Sequence, residues 1–261
     1  MCTVTIVRHG DGLRLACNRD EEVARPAARP PRSRRFGRRR AILPIDPRGG
    51  GTWIAASDAG LALALLNVTP DRGAASLRRA RRIRRPRTIS RGRIIPALLR
   101  SGSLDEAVAA ARRIDPRRYL PFRLVIADRR EVAVLNTIGG RLRLRRRPLR
   151  RRPLLFTSSG LGDRLVEGPR RALFRRMLGG APPSRRLARQ EEFHRHRWPG
   201  RPHLSVDMRR PGARTVCHAA IDLTAGGARF VFRSGGPGGR PGRLIDLPMR
   251  GTAAPPSWRR T

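Results

Sequence analysis

The chain of 261 residues contains no lysine; all 59 of its basic residues are arginine, against 19 carboxylates, for a formal net charge of +40. Selection for nucleic-acid binding would not normally exclude lysine. The accompanying wealth of Ala, Gly and Pro points to a coding bias with solvated arginine faces, and a real polyanion-binding surface is the other reading of the same excess. Aromatic residues are scarce, 4% of the chain with Tyr119 the single tyrosine, so few flat side chains are available for single-stranded bases to stack on. Three cysteines, Cys2, Cys17 and Cys217, are too few and odd in number for a disulfide framework, which suits a reducing compartment. No apolar run approaches the ~18 residues that would span a bilayer. The opening MCTVTIVRHG lacks the charged and apolar regions of a signal peptide. The expectation is a cytoplasmic protein with no membrane span.

What is present is mainly short alternating segments. Cys2, Val4 and Ile6 fall on one face and Thr3 and Thr5 on the other, and the alternation resumes at Leu13, Leu15 and Cys17 after Gly10-Asp11-Gly12, which predicts a β-hairpin. Pro26, Pro30-Pro31 and the arginine run to Arg40 predict an exposed loop. Further strands are expected at 52–57 and 61–67, joined by Asp58-Ala59-Gly60, then at 122–127, 131–136, 141–145, 203–208, 214–223 and 229–233. Residues 78–87 read as a loop or solvated helix. Helices are expected at 94–99, from the capping box Ser103-Leu104-Asp105-Glu106 onward, from Pro169 to Leu178, and around 190–197. With no βαβ alternation, this order argues for an α+β protein of antiparallel sheets covered by helices. One domain over residues 1–233 is expected, with a Gly/Pro/Arg-rich tail over 234–261 that leaves room for a last short strand.

Cys2 is the residue type of greatest chemical interest. Removal of the initiator methionine would leave its thiol and a free α-amine on one residue, a nucleophile with its own base, because the α-amine titrates near ~7.7–8.0. A neighbouring arginine would favour the thiolate further. The alternative is a small apolar residue on the inner face of the first strand. His194, His196 and His203 have no carboxylate or cysteine at ligand spacing. The glycine run 235–239 lacks the lysine and Ser/Thr of a P-loop. Neither a metal nor a cofactor is expected.

MCTVTIV followed by Asn18-Arg19-Asp20-Glu21 resembles the signature of the NRDE-motif (transport and Golgi organisation) family. The resemblance continues through Arg25-Pro26, Gly50-Gly51-Thr52-Trp53, Leu65-Leu66-Asn67, Ser90-Arg91-Gly92, Ser158-Ser159-Gly160 and Ala213-Arg214-Thr215-Val216. That family is similar to the N-terminal-nucleophile amidases, including penicillin V and bile-salt hydrolases, which implies a four-layer αββα sandwich of two antiparallel sheets flanked by helices. It also implies Cys2 as nucleophile, Arg19 polarising the thiol, Asp20 holding the free amine, Asn67 donating to the oxyanion and Arg214 as a late-strand arginine near the thiol. The chain departs from the family where Ser159 replaces the usual asparagine, so a second amide donor is lost or replaced by a hydroxyl. The expected activity is hydrolysis of a linear amide or related acyl compound, at carbon-nitrogen bonds other than peptide bonds. The rival is a binding or trafficking protein for a hydrophobic anionic ligand such as haem or acyl-coenzyme A. Non-specific polyanion binding could accompany either. Cys17 is near enough in the hairpin to raise the idea of a reversible disulfide with Cys2, although core packing is its simpler use.

Overall fold

The computed structural model describes residues 2–69, 88–138, 140–150 and 152–249. The arginine-dense stretch 78–87 and the chain end after Met249 lie outside them. The expected first hairpin is formed by β1 (Cys2–His9) and β2 (Gly12–Glu22), with Cys2 opposite Arg19 and Val4 opposite Cys17. Gly10 makes the turn at φ 52°, a left-handed conformation that costs glycine little.

Sheet B follows in sequence order: β3 (Arg29–Phe36), β4 (Arg39–Ile45), β5 (Ile54–Ser57), β6 (Leu61–Asn67), β7 (Phe122–Ala127), β8 (Glu131–Ile138) and β9 (Arg141–Pro148). Sheet A runs β10 (Leu154–Thr157), β1, β2, β12 (Ala213–Leu223), β13 (Gly227–Ser234) and β14 (Pro241–Pro248), with β11 (Arg209–Arg210) paired to β12. Every pairing is antiparallel.

Three apolar layers make the four-layer sandwich. Val4, Ile6, Leu15, Ile42, Ile54 and Phe230 pack between the sheets. The outer face of sheet B is covered by α1 (Ile94–Leu98) and α2 (Leu104–Arg112), which bury Ile94, Leu98 and Leu104 against Leu63 and Leu124. The outer face of sheet A is covered by α3 (Asp163–Leu178) and α4 (Arg186–Arg195), where Phe174 and Phe193 pack on Val7. The capping box opens α2 as expected: the Glu106 amide donates to Ser103 Oγ at 3.2 Å, while the Glu106 carboxylate accepts from the Gly102 amide at 2.7 Å. Among the described residues no helix is long and apolar enough to cross a membrane.

Three expectations need correction. The loop expected at 26–40 is largely the β3–β4 hairpin. β3 is an edge strand, where arginines stay solvated, and Pro30-Pro31 occupies a register shift between Arg29 and Arg32 where ladder donors are not required. The helix expected to begin at Pro169 begins at Asp163, whose carboxylate accepts from the Ser159 amide at 2.9 Å, and Pro169 lies inside it. The strand expected over 203–208 is a series of turns, because its carbonyls serve side chains instead of a ladder: Leu204 and Ser205 accept from Arg170, and Val206 accepts from Asn18. The C-terminal tail contains the last strand for which room was left, β14, at the edge of sheet A, and β10 is a strand that was not expected.

Because both faces of sheet A are covered, polar side chains on its helix side must be bonded within the protein. Asn18 donates through Nδ2 to the His194 and Val206 carbonyls, both at 2.9 Å. Its Oδ1 faces His194 Nδ1 at 3.0 Å and His218 Nδ1 at 2.8 Å, so both rings carry their proton on Nδ1. His194 Nε2 then accepts from the Thr5 hydroxyl at 2.7 Å, and Thr5 accepts from Gln190 at 2.8 Å. Burial, reinforced by the charges of Arg233, Arg14 and Arg195, pushes the His218 imidazole down to about 3, and Glu191 faces its Nε2 at 4.0 Å.

Unfolded histidine takes up a proton near pH 6.5, whereas folded His218 stays neutral until far lower, so stability is full above that range and falls as pH falls. At pH 5 His218 alone should cost about 2 kcal/mol relative to neutral pH. Urea melts at pH 7 and 5 measure the drop, and His218→Asn, whose amide can replace the Nδ1 donor, should shrink it by about that amount. An undiminished drop in the variant would show that His218 is not the source.

Candidate functional site

The hairpin register puts Cys2 at the start of β1 on the inter-sheet face, 4% exposed. Arg19 of β2 lies directly opposite, and Cys217 of β12 lies opposite Arg19, so the three side chains form a row across neighbouring strands. Ser158, just past β10, brackets the Cys2 backbone. The Cys2 amide donates to its hydroxyl at 2.9 Å, and the Ser158 amide donates to the Cys2 carbonyl at 2.9 Å. The three cysteines are free and buried. The Cys17 thiol, one diagonal step away, hydrogen-bonds Cys2 and holds its pKa below that of an ordinary thiol; burial opposes this and the Arg19 charge adds to it. Burial pushes Cys217 upward, which makes it a core residue rather than a second nucleophile.

Arg19 reaches from the sheet over the face of Trp53, its guanidinium carbon 4.3 Å from the ring centroid, and its Nη2 donates to Asp46 Oδ2 at 2.6 Å. Arg25 donates to the same oxygen through Nε and Nη2 at 3.0 and 2.7 Å, and the Arg48 amide donates to Oδ1 at 3.0 Å. Burial alone would raise the Asp46 carboxyl, but the Arg25 bonds and the Arg19 charge outweigh it and hold it below the usual range.

The loop after β4 folds on itself through Asp46 N to Gly51 O and Gly50 N to Asp46 O, both 2.8 Å, with Gly50 at φ 63°. Its end docks on the segment before α1, where the Thr52 amide donates to the Gly92 carbonyl at 2.9 Å. The backbones meet so closely that a Cβ on Gly51 would fall 2.3 Å from the Gly92 carbonyl carbon. Between this loop and the strand ends is a cleft of about 210 Å³, lined by Cys2, Arg19, Trp53, Asn67 and Arg91 among others.

The structure therefore brings Cys2, Arg19 and Asn67 to one cleft, with half-buried Asn67 at the end of β6. Asp20 is not in it. As the next residue of β2 it faces the helix side of the sheet, fully buried, where Thr215 Oγ1 donates to it at 2.6 Å and Arg170 of α3 lies 4.0 Å away. Burial raises its carboxyl, against the Arg170 charge and the Thr215 bond. Arg214 is exposed and does not line the cleft. Ser159 does not line it either; its hydroxyl accepts from the Leu161 amide at 3.1 Å. Asp46 was missed in the sequence, where nothing marks it. Trp53 and Arg91 were noted only as motif letters.

The family model described as Transport and Golgi organisation 2 matches residues 1–165. The chain belongs to the Transport and Golgi organisation 2 family. The matched part holds both sides of the cleft, from the β1–β2 hairpin to Gly92, and Ser158 beside Cys2. No curated protein matches this family member in sequence. Among solved structures, the Caenorhabditis elegans ortholog of N-acylethanolamine-hydrolyzing acid amidase is similar to it with a TM-score of 0.55 at 14% identity, over 84% of this chain and 92% of that one. A variant of conjugated bile acid hydrolase from Clostridium perfringens is a looser likeness, with a TM-score of 0.49 at 13% identity, over 95% and 92% of the two chains. At these identities the likeness is one of fold, that of the N-terminal-nucleophile hydrolases.

The close approach of Gly51 to Gly92 yields a test of how the cleft is built. Gly51→Ala must push the loop away from its partner and should cost about 1–3 kcal/mol in urea denaturation. Gly168→Ala, on an exposed turn of α3 with nothing within 4 Å of the added methyl, should be neutral or stabilising by up to ~1 kcal/mol. Equal effects would show that the loop contact does not shape this site.

Proposed function

We propose that this protein is a cysteine N-terminal-nucleophile hydrolase that cleaves the carbon-nitrogen bond of a linear amide or related acyl compound. The observation that carries the reading is the thiol of Cys2 in the cleft, opposite Arg19 and hydrogen-bonded by Cys17, which favours its thiolate. In the reactive form Met1 is removed and the Cys2 α-amine is free. The amine takes the thiol proton, and the sulfur attacks the carbonyl carbon. The C–N bond breaks as the amine returns the proton to the leaving nitrogen, and water then hydrolyses the thioester to release the acid.

Ser158 Oγ, which meets the Cys2 nitrogen at 2.9 Å, would hold the free amine in place. Asp20, buried behind the sheet, would supply negative charge to it. Asn67 at the cleft would donate to the oxyanion, an interaction worth roughly 2.7–4 kcal/mol where such donors have been removed from other enzymes. Arg214, exposed and outside the cleft, has no part in this scheme. Free buried thiols suit a reducing compartment such as the cytoplasm.

A binding protein for haem or acyl-coenzyme A is the rival, favoured by the Ser159 hydroxyl being engaged away from the cleft. Against it, about 210 Å³ is below the ~300–1,000 Å³ of pockets that enclose drug-sized ligands. Polyanion binding, if present, would be carried by the exposed arginines of β3 and β9, away from this cleft.

The deciding measurement combines intact mass with graded alkylation. Met1 should be absent and Cys2 should alkylate far faster than Cys17 or Cys217. Its rate should rise with pH to a plateau reached below the usual thiol range, because the folded thiol loses its proton earlier. Against any amide that the protein turns over, Cys2→Ala should lose about 10³-fold or more. Retention of Met1, or an inert Cys2, removes the hydrolase reading and leaves ligand binding.

A further inference from the structure

Among the described residues three guanidinium groups line the cleft, and two of them are consumed. Arg19 and Arg25 share Asp46, and both also reach Glu21, at 3.4 and 3.6 Å. Arg91 is different. It sits in a turn, Arg91–Arg93, whose middle residue is packed against Gly51. One of its nitrogens, Nη1, donates to the Pro121 carbonyl at 2.9 Å. Among the described residues no carboxylate pairs with it; the charges that reach it are the Cys2 thiolate and, after it, Glu21, which is already engaged by the other two arginines. Among the described residues, three arginines against two carboxylates leave one positive charge, half-buried and fixed in position. Transfer of the Cys2 proton to its own amine keeps that pair neutral, so the surplus remains when the thiolate forms. Trp53 adds a second open valence, since its indole Nε1 is buried with no hydrogen-bond partner among the described residues.

We infer that Arg91 is a specificity residue that binds an anionic group of the substrate, so that the amide cleaved here carries a carboxylate, or an anion of similar size, within reach of the Cys2 sulfur. The inference rests on the hydrolase reading for the word substrate, but the anion site itself stands on the charge and geometry of the cleft. Arginine suits the task, because its remaining N–H groups can grip both oxygens of a carboxylate. In a narrow cleft with low-dielectric walls its field also raises the local concentration of anions. Such a site would favour a charged amide over its neutral counterpart by increasing capture more than turnover.

Two alkylating agents that differ only in charge provide the test without a known substrate. Iodoacetate and iodoacetamide each lose iodide to the Cys2 thiolate, but only iodoacetate brings a carboxylate. The ratio of their rates at Cys2 should exceed the ratio for free glutathione in the same buffer. In Arg91→Gln it should fall about tenfold, equivalent to about 1.4 kcal/mol, whereas Arg91→Lys should keep part of it. Added salt should lower the wild-type ratio. If Arg91→Gln slows both reagents equally, Arg91 serves only the thiolate and the inference is overturned; an unchanged ratio overturns it too. Should Cys2 be inert to both reagents, the hydrolase reading fails separately. Calorimetry with N-acetylglycine and its neutral amide then decides. Binding of the carboxylate alone, lost in Arg91→Gln, supports the anion site, and no binding to the wild type overturns it.

Discussion

The pairing of β1 with β2 in one register, Cys2 opposite Arg19, is the constraint on which the rest depends. A slip by one residue would turn every side chain of β1 to the other face. The thiol would then point into the helix layer, and Thr3 and Thr5 into the apolar space between the sheets. The register is held from both sides. Val4, Ile6 and Leu15 are apolar on the inter-sheet face, while on the other face Thr3 and Thr5 each have one designated partner, Arg170 and the His194–Gln190 pair. Arg170 is itself fully buried and binds two carbonyls of the 203–208 turns as well as Thr3. An unpaired charge there would be costly, so the turns, the helix and the strand are fixed together.

The cleft relies on a second device, the backbone contact between Gly51 and Gly92. It joins the loop after β4 to the segment before α1, and so connects Asp46, Trp53 and Arg91, which come from different parts of the chain. Asp46 is the electrostatic centre of this arrangement. By holding Arg19 and Arg25 it fixes one cation beside the thiol and leaves Arg91 as a charge that no carboxylate of the described residues pairs with. The positive field at Cys2 therefore comes from two ordered cations, Arg19 held by Asp46 and Arg91 held by the Pro121 carbonyl.

Strand order was legible where one face alternates or where both faces are apolar, as in β1, β2, β6, β7 and β8. It was not legible where backbone groups find side-chain partners. The segment 203–208 has an alternating pattern, but its carbonyls bind Arg170 and Asn18, which only the fold brings near. Nor was β3 legible, since an edge strand with solvated arginines and a proline pair at a register shift carries no apolar period. Of the site, Cys2, Arg19 and Asn67 were readable from the hairpin and the family motifs, and they do share a cleft. Asp20 was readable as a motif residue, yet its side of the sheet follows from alternation alone and was overlooked. Asp46 could not be found from sequence, because its role is created by loop closure across Gly50 and Gly51.

The arginine excess gains a narrower meaning from this. The choice of arginine over lysine leaves most surface positions unaffected, since an exposed cation of either kind contributes little. It matters where geometry uses the planar head: Arg170 binding two carbonyls and a hydroxyl at once, Arg25 placing two nitrogens on one Asp46 oxygen, and Arg19 lying flat on Trp53. A lysine ammonium could replace none of these without losing contacts. The buried arginines are thus specified one by one by their partners. Arg91 belongs with them by position, held by the Pro121 carbonyl, but among the described residues no carboxylate pairs with it, which leaves its charge for a group that enters the cleft.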